Sequence, residues 1–135
     1  PSLAQVVENL IQYSTSGVAV FMHRAGIAAL DKGENFVRHM IERSRKGREI
    51  TVNVLGKSNR VRLAPPDGAF YAFFSVEGER DSRALAMKLI DEAGVGLAPG
   101  TAFGPGAEPF LRLCFARSPE SVELVVNRIA DWLKR

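Results

Sequence analysis

Residues 110–120, FLRLCFARSPE, join a strand pattern to the start of a helix. Side chains alternate between the two faces of a strand, so Leu111, Leu113 and Phe115 should share one apolar face. The opposite face carries Arg112, whose permanently charged guanidinium is costly to bury without a partner. The tripeptide SPE that follows supplies an N-cap serine and a first-turn proline for a helix. The stretch therefore predicts a strand covered on one side and followed directly by a helix.

Two interpretations of Arg112 follow from this pattern alone. The planar guanidinium fork matches a carboxylate or a phosphate and could bind either group through two hydrogen bonds. The alternative is a structural ion pair or an exposed edge position, and the strand pattern by itself favours this second interpretation.

The segments around this strand predict an α+β fold. The turn residues PPDG, residues 65–68, separate two strand segments, the second of which runs from Ala69 to Val76. An amphipathic helix within RDSRALAMKLIDEAGV, residues 80–95, comes next, with Asp81 or Ser82 as its cap and Gly94 past its end. A short strand at VGLAP, residues 95–99, follows it. A glycine-rich loop leads into the strand of Arg112, and an amphipathic helix follows. The order is ββαββα, which predicts a layer sandwich of helices on a sheet.

Residues 2–55 predict a helical N-terminal part. The first helix is broken at STSG, residues 14–17. The second, from Val18 to Leu30, is apolar almost all round, which is typical of a buried helix. The third begins at Glu34 and should run to about Leu55, although Gly47 lies inside it.

Composition and charge exclude several classes of function. The 135 residues are 46% hydrophobic and 24% charged, as expected for an ordinary globular domain. The net charge of +3 does not indicate nucleic-acid binding, and the basic run over residues 43–62 lacks aromatic residues, so it predicts a solvated helix face. No apolar run approaches roughly 18 residues, so we expect no membrane span. No His, Cys or acidic residues stand at metal-ligand spacing, and we expect no metal site.

The single cysteine excludes an internal disulfide framework. A reducing compartment suits such a chain, and we expect a cytoplasmic protein. Because Cys114 has no histidine near it in the sequence, we expect it to be a small buried thiol rather than a nucleophile.

Three segments, read in order, resemble a known family. They are STSGVAVFMHRAGIAAL (14–30), PDGAFYAFF (66–74) and GVGLAPGTAFGPGAEPFLRLCFA (94–116). Together they are similar to the C-terminal part of fold-type I, pyridoxal-phosphate-dependent aminotransferases of the aspartate/aromatic group. The succession PxGAFY, APGxxFG and LRLxFA is the most specific part of the match, which covers essentially the whole chain. The resemblance implies that residues 18–135 are the small domain of such an enzyme and that residues 1–17 are a connecting helix and loop from its large domain.

The same resemblance implies roles for individual residues. In that family the arginine of LRLxFA binds the α-carboxylate of the substrate, which implies this role for Arg112 and reverses the preference drawn from the strand pattern. The GAFY and APGxxFG segments resemble parts of the family fold near the substrate mouth. They add four candidate neighbours of the site: Gly68, Thr101, Phe103 and Gly104.

The STSG segment corresponds to a position near the dimer interface of the family. The resemblance therefore implies that Thr15 or Ser16 approaches the site of a partner subunit in a homodimer. From the sequence alone, hydrogen bonds that cap a helix or close a loop are the default for these hydroxyls.

The implied activity is transfer of an amino group between an amino acid and a 2-oxo acid with pyridoxal 5'-phosphate. The family's Schiff-base lysine, its pyridine-nitrogen aspartate and its phosphate-binding groups belong to the large domain, and none of the five lysines matches the lysine's context: Lys32, Lys46, Lys57, Lys88 and Lys134. We therefore expect no catalytic or cofactor-binding residue here, and no activity from this chain alone. The alternative is a free-standing regulatory module that binds a small acid.

Overall fold

The protein combines five α-helices with one four-stranded sheet and a short 3-10 helix, in a computed structural model that describes the backbone of residues 2–135 and the side chains from residue 3 onward. The elements are α1 (Ser2–Ser14), α2 (Val20–Lys32), α3 (Glu34–Leu55), β1 (Val61–Leu63), β2 (Tyr71–Val76), α4 (Ser82–Ala93), β3 (Ala98–Pro99), the 3-10 helix (Gly100–Phe103), β4 (Phe110–Cys114) and α5 (Pro119–Leu133). The predicted α+β class and the ββαββα order are confirmed.

Contacts within the chain divide it into two units, residues 1–38 and residues 39–135. The division falls inside α3. The predicted boundary after residue 17 concerns a connection to a large domain, and it stays a prediction.

The first unit holds α1, α2 and the start of α3. Within the part of the chain that the structure describes, α2 has no buried residue, so the prediction of a buried helix is wrong. An apolar composition decides which side chains favour burial, but burial also needs a surface to pack against. The apolar stripe of α1 is likewise exposed, with Leu3 and Leu10 as examples.

The second unit is built on a fully antiparallel sheet with strand order β1-β2-β4-β3. The strand that carries Arg112 is therefore an inner strand. In the register, Arg112 lies opposite Phe73 of β2 on one side and opposite Ala98 of β3 on the other.

Helices α4 and α5 belong to the same core as the inward face of the sheet. Phe74, Leu111 and Phe115 are among its most buried side chains. The helix caps agree with the sequence: the Asp81 carboxylate accepts from the backbone N–H groups of Arg83 and Ala84. The α4 helix ends before Gly94, as predicted, and this glycine adopts the left-handed conformation. The apolar face predicted for Leu111, Leu113 and Phe115 is confirmed.

Two arginines of α3 tie this helix to neighbouring loops. Arg43 Nε donates to the carbonyl of Arg117 at 2.9 Å, and Arg48 Nε donates to the carbonyl of Pro66 at 2.6 Å. The prediction that the whole basic run is a solvated helix face is therefore wrong for these two residues, because loops after β4 and before β2 offer them carbonyl acceptors.

Candidate functional site

The outward face of the sheet carries a cluster of aromatic side chains around one charge. Pairing across the antiparallel strands puts Tyr71 opposite Cys114 and Phe73 opposite Arg112, and alternation places all four on the face away from the core. Cys114 is exposed, so the predicted buried thiol is wrong. The reason is the strand's alternation, since the buried positions of β4 are Leu111 and Leu113.

Arg112 contacts two aromatic rings from different elements. Its guanidinium carbon lies 4.1 Å from the ring centroid of Tyr71 in β2 and 4.0 Å from that of Phe103 in the 3-10 helix. The side chain is half-buried. We call Tyr71 and Phe103 the aromatic pair. Cation–π contact at this distance holds a guanidinium without using its N–H donors.

Neither structural explanation of Arg112 is met within the described residues. The ion pairs formed within 4.0 Å by the described residues do not include Arg112. The edge position is excluded because β4 lies between β2 and β3. What remains is a charged fork on an inner strand whose packing partners are rings.

Phe73 connects the aromatic pair to the rest of the open face. Its ring stacks on Phe110 with centroids 4.9 Å apart at 9°, and it meets Phe103 edge-on at 6.1 Å and 84°. Such offset and edge-to-face contacts are the favoured geometries of aromatic rings. Phe103 is therefore supported by the residue that faces Arg112 across the sheet.

The loop that supplies Phe103 is shorter and more ordered than the sequence predicted. Residues 100–103 form a 3-10 helix rather than irregular loop. Gly100 is buried, and a Cβ there would meet the carbonyl oxygens of Ala107 and Phe110. This glycine thus serves the loop's own close packing.

The far end of this loop is fastened to the start of α4. Glu108 accepts from the backbone N–H of Ser82 at 3.1 Å and from its hydroxyl at 2.8 Å. Together with Gly100, this carboxylate fixes both ends of the segment that holds Phe103. Sequence analysis did not identify Glu108, because its partner is 26 residues away along the chain.

The other predicted neighbours of the site lie as follows. Thr101 is exposed in the 3-10 helix, and Gly104 ends that helix with φ 108, a conformation that favours glycine. Gly68 lies in the exposed turn before β2, where a Cβ would meet no atom within 4 Å. The structure brings Phe103 into contact with Arg112. Site roles for all four residues stay predictions.

Thr15 and Ser16 belong to the first unit, at the end of α1. The Thr15 hydroxyl donates to the carbonyl of Ile11 and that of Ser16 to the carbonyl of Gln12, both at 3.2 Å. These are the local hydrogen bonds expected by default from the sequence. Their approach to a partner subunit stays a prediction.

Tyr71 is the contact of Arg112 that sequence reasoning missed. Alternation from Phe73 places Tyr71 on the same face, so its orientation could have been inferred. The missing information was the pairing of β2 with β4, which sets Tyr71 beside the strand of Arg112.

The described contacts of the Arg112 guanidinium are two aromatic rings. Within residues 3–135, no three His, Cys, Asp or Glu side chains form a group that could hold a metal ion. The contacts described for Arg112 include no lysine, and Lys88 is engaged elsewhere with Glu79 and the Trp132 ring.

None of the described helices combines the length and apolar character needed to cross a membrane.

Comparison with known proteins identifies a family for this chain. Residues 2–129 match the family model "Aminotransferase class I and II". An aspartate aminotransferase of Pyrococcus horikoshii is 33% identical over 97% of the chain. The crystal structure of an aromatic aminotransferase from the same organism superimposes with a TM-score of 0.86 at 25% identity over 93% of the chain. That of an aspartate aminotransferase from Thermotoga maritima gives 0.82 at 30% identity over 99%.

The chain spans about a third of the length of these proteins: 35% of the P. horikoshii aspartate aminotransferase and 34% of each of the two crystallised chains. Within that third the family match runs through every element from α1 into α5. The chain therefore belongs to the aminotransferase class I and II family, in the aspartate/aromatic group of fold type I.

Proposed function

We propose that the protein carrying this chain is an aminotransferase that moves an amino group between an amino acid and a 2-oxo acid. In this proposal the chain is the small domain, and Arg112 binds the α-carboxylate that these substrates share. The names of the relatives support the reaction class, since they include aspartate and aromatic aminotransferases. Homodimerisation, with Thr15 or Ser16 near the partner's site, and a cytoplasmic location are part of the same proposal.

One observation carries the role of Arg112. Arg112 lies on an inner strand, and its guanidinium packs against two rings. No ion pair within the described residues includes it. A guanidinium presents its donors as a rigid planar fork, which matches a carboxylate through two charge-assisted hydrogen bonds. A fork fixed in this way would hold the constant end of one amino acid after another, so that the Cα–H bond is presented in one orientation.

The family depends in general on pyridoxal 5'-phosphate, which supplies the electron sink for amino-group chemistry. The described contacts of Arg112 provide a cationic fork and apolar rings but no amine for a Schiff base. In this proposal they serve the carboxylate end of a substrate rather than the cofactor. We therefore propose that the groups that bind the cofactor lie outside these 135 residues.

The test uses the natural protein that carries this chain, with a panel of amino donors. Replacing Arg112 by Ala should lower kcat/KM at least about tenfold for every donor, because a charge-assisted hydrogen bond contributes upward of about 1.5 kcal/mol. Arg112→Lys should restore little of the loss, since lysine keeps the charge but lacks the fork. A loss much below tenfold in Arg112→Ala would argue against the carboxylate role.

Arg62→Ala is the matched control. Arg62 lies opposite Ser75, on the same face of the sheet but on the outer strand β1, and it is exposed. It should change kcat/KM less than about twofold, as expected for an exposed charge. Carboxylate binding without any transamination by the wild-type protein would instead favour the alternative, a regulatory module that binds a small acid.

A further inference from the structure

We infer that Tyr71 and Phe103 are positioning residues: they hold the Arg112 guanidinium so that its donor edge is presented to the substrate carboxylate. The inference rests on the proposed function of Arg112 and adds the groups through which that function is fixed. The contacts are 4.1 Å and 4.0 Å from the guanidinium carbon to the two ring centroids.

The first step concerns the freedom of the arginine side chain. An arginine has several rotatable bonds and loses substantial rotamer entropy when it is held in one geometry. Without the two ring contacts, the Arg112 side chain would lose that entropy only when a carboxylate binds. Two rings that pack on the guanidinium beforehand hold the side chain while leaving its N–H donors free. Binding then costs less, because the fork is already ordered.

The second step concerns why the rings themselves are fixed. Tyr71 is part of β2, whose pairing with β4 sets its position relative to Arg112. Phe103 comes from a separate segment, and its ring meets Phe73 at 6.1 Å. That segment is closed at one end by the tight packing of Gly100 and at the other by the two hydrogen bonds between Glu108 and Ser82. The backbone that carries each ring is therefore held in place by contacts with other segments.

The third step separates positioning from simple packing. Phe103 is 42% exposed and lies outside the buried core. Its replacement by leucine removes the π face while keeping an apolar side chain of similar reach, so the fold should survive. Replacement by tyrosine keeps the ring. A merely structural role would not distinguish a ring from an aliphatic side chain at an exposed position.

The experiment is a double-mutant cycle in the natural protein that carries this chain, measured as kcat/KM for one amino acid donor. Phe103→Leu should lower kcat/KM about 3- to 30-fold, the range expected for loss of a partly desolvated cation–π contact. Phe103→Tyr should stay within about twofold of wild type, as should Tyr71→Phe, because both keep the ring. In an Arg112→Ala background, Phe103→Leu should cost less than about twofold further, since its effect acts through the arginine.

The carboxamide of the same donor is the second probe, because it lacks the anionic carboxylate. Its lower kcat/KM should be nearly unchanged by Phe103→Leu. Loss of the same size with the acid and the amide, or in both Arg112 backgrounds, would overturn the positioning role, and so would wild-type activity in Phe103→Leu. If Arg112→Ala itself loses little, the proposed function fails instead, whatever the phenylalanine variants do. Thermal melts of all variants verify that they fold.

Discussion

Gly47 of α3 matters for packing because the backbone of Phe115 lies against it. It is buried in the middle of α3, a position where glycine ordinarily weakens a helix. A Cβ at this position would collide with the carbonyl oxygen of Phe115 and approach its side chain at 3.3 Å. The missing side chain lets α3 lie directly on the backbone that follows β4.

Gly47→Ala should therefore destabilise the protein in spite of the better helix propensity of alanine. We expect a loss of about 1–3 kcal/mol, the usual cost of overpacking, measured by urea unfolding. The control is Gly26→Ala in α2, where a Cβ would meet nothing within 4 Å. That change should leave stability unaltered or raise it by up to about 1 kcal/mol. Equal effects of the two substitutions would contradict the close approach.

Arg112 shows the limit of reasoning from one residue. Strand alternation predicted its face, and the structure confirms it. The alternation could not predict that β4 is an inner strand or that rings rather than a carboxylate surround the guanidinium. Both facts follow from the strand order and from the position of the loop. Together they make Arg112 a candidate for binding an anion.

Among the helices, α5 begins where the sequence predicted. The Ser118 side chain accepts from the backbone N–H of Ser121, and Pro119 follows in the first turn. Glu120 lies in the same turn. Hydrogen bonds from the backbone N–H of Glu120 and from Ser118, together with the charge of Arg43, hold the pKa of the Glu120 carboxyl below its usual range. Burial acts in the opposite direction.

The lowered pKa sets the sign of a pH effect on α5. A carboxyl with a depressed pKa in the folded state stabilises the protein above its unfolded pKa, and this contribution is lost as the pH falls through the folded pKa. Glu120→Gln should therefore be less stable than wild type at pH 7, and the difference should shrink as the solution is acidified below the ordinary carboxyl pKa. Thermal melts of the variant and of wild type across that pH range measure this difference in stability.

Glu123→Gln is the comparison for this pH series. Glu123 is exposed on the same helix but lies beyond the first turn, away from its free N–H groups. Its difference from wild type should be small at every pH. A Glu120→Gln difference that stays constant with pH would contradict the assignment.

For the whole molecule, the proposed function places substrate binding in this chain and catalysis in groups outside it. The described contacts of Arg112 include no lysine, and two lysines of the second unit are paired with local carboxylates, Lys88 with Glu79 and Lys134 with Asp131. The relatives are about three times as long as this chain. In the proposed function, this part of the protein contributes the carboxylate fork.

The isolated 135-residue chain should have no transaminase activity and should not hold pyridoxal phosphate covalently. Mixing the two, reducing with borohydride and mapping peptides by mass spectrometry should show no stoichiometric adduct on a single lysine. The natural protein that carries this chain, treated in the same way, is the positive control. A stoichiometric adduct at one of the five lysines of the isolated chain would overturn this expectation.

Much of the fold could be predicted because local patterns and caps agree with one another. The turn at PPDG, the Asp81 cap of α4 and the SPE start of α5 each predicted a boundary close to the observed one. The errors concerned burial: α2 is exposed although it is apolar, and Cys114 is exposed although small thiols are commonly buried. Burial depends on a partner surface, which a local pattern does not contain.

The sequence by itself determined the order of helices and strands, the two faces of β4 and the position of Arg112 on the outward one. Periodicity and capping are properties of neighbouring residues, so they can be read from a single segment. Only the tertiary structure decided that β4 lies between β2 and β3, that Tyr71 and Phe103 contact the guanidinium, and that Glu108 fastens the loop to α4. These contacts join segments far apart in the chain, and their geometry exists only once the sheet has formed.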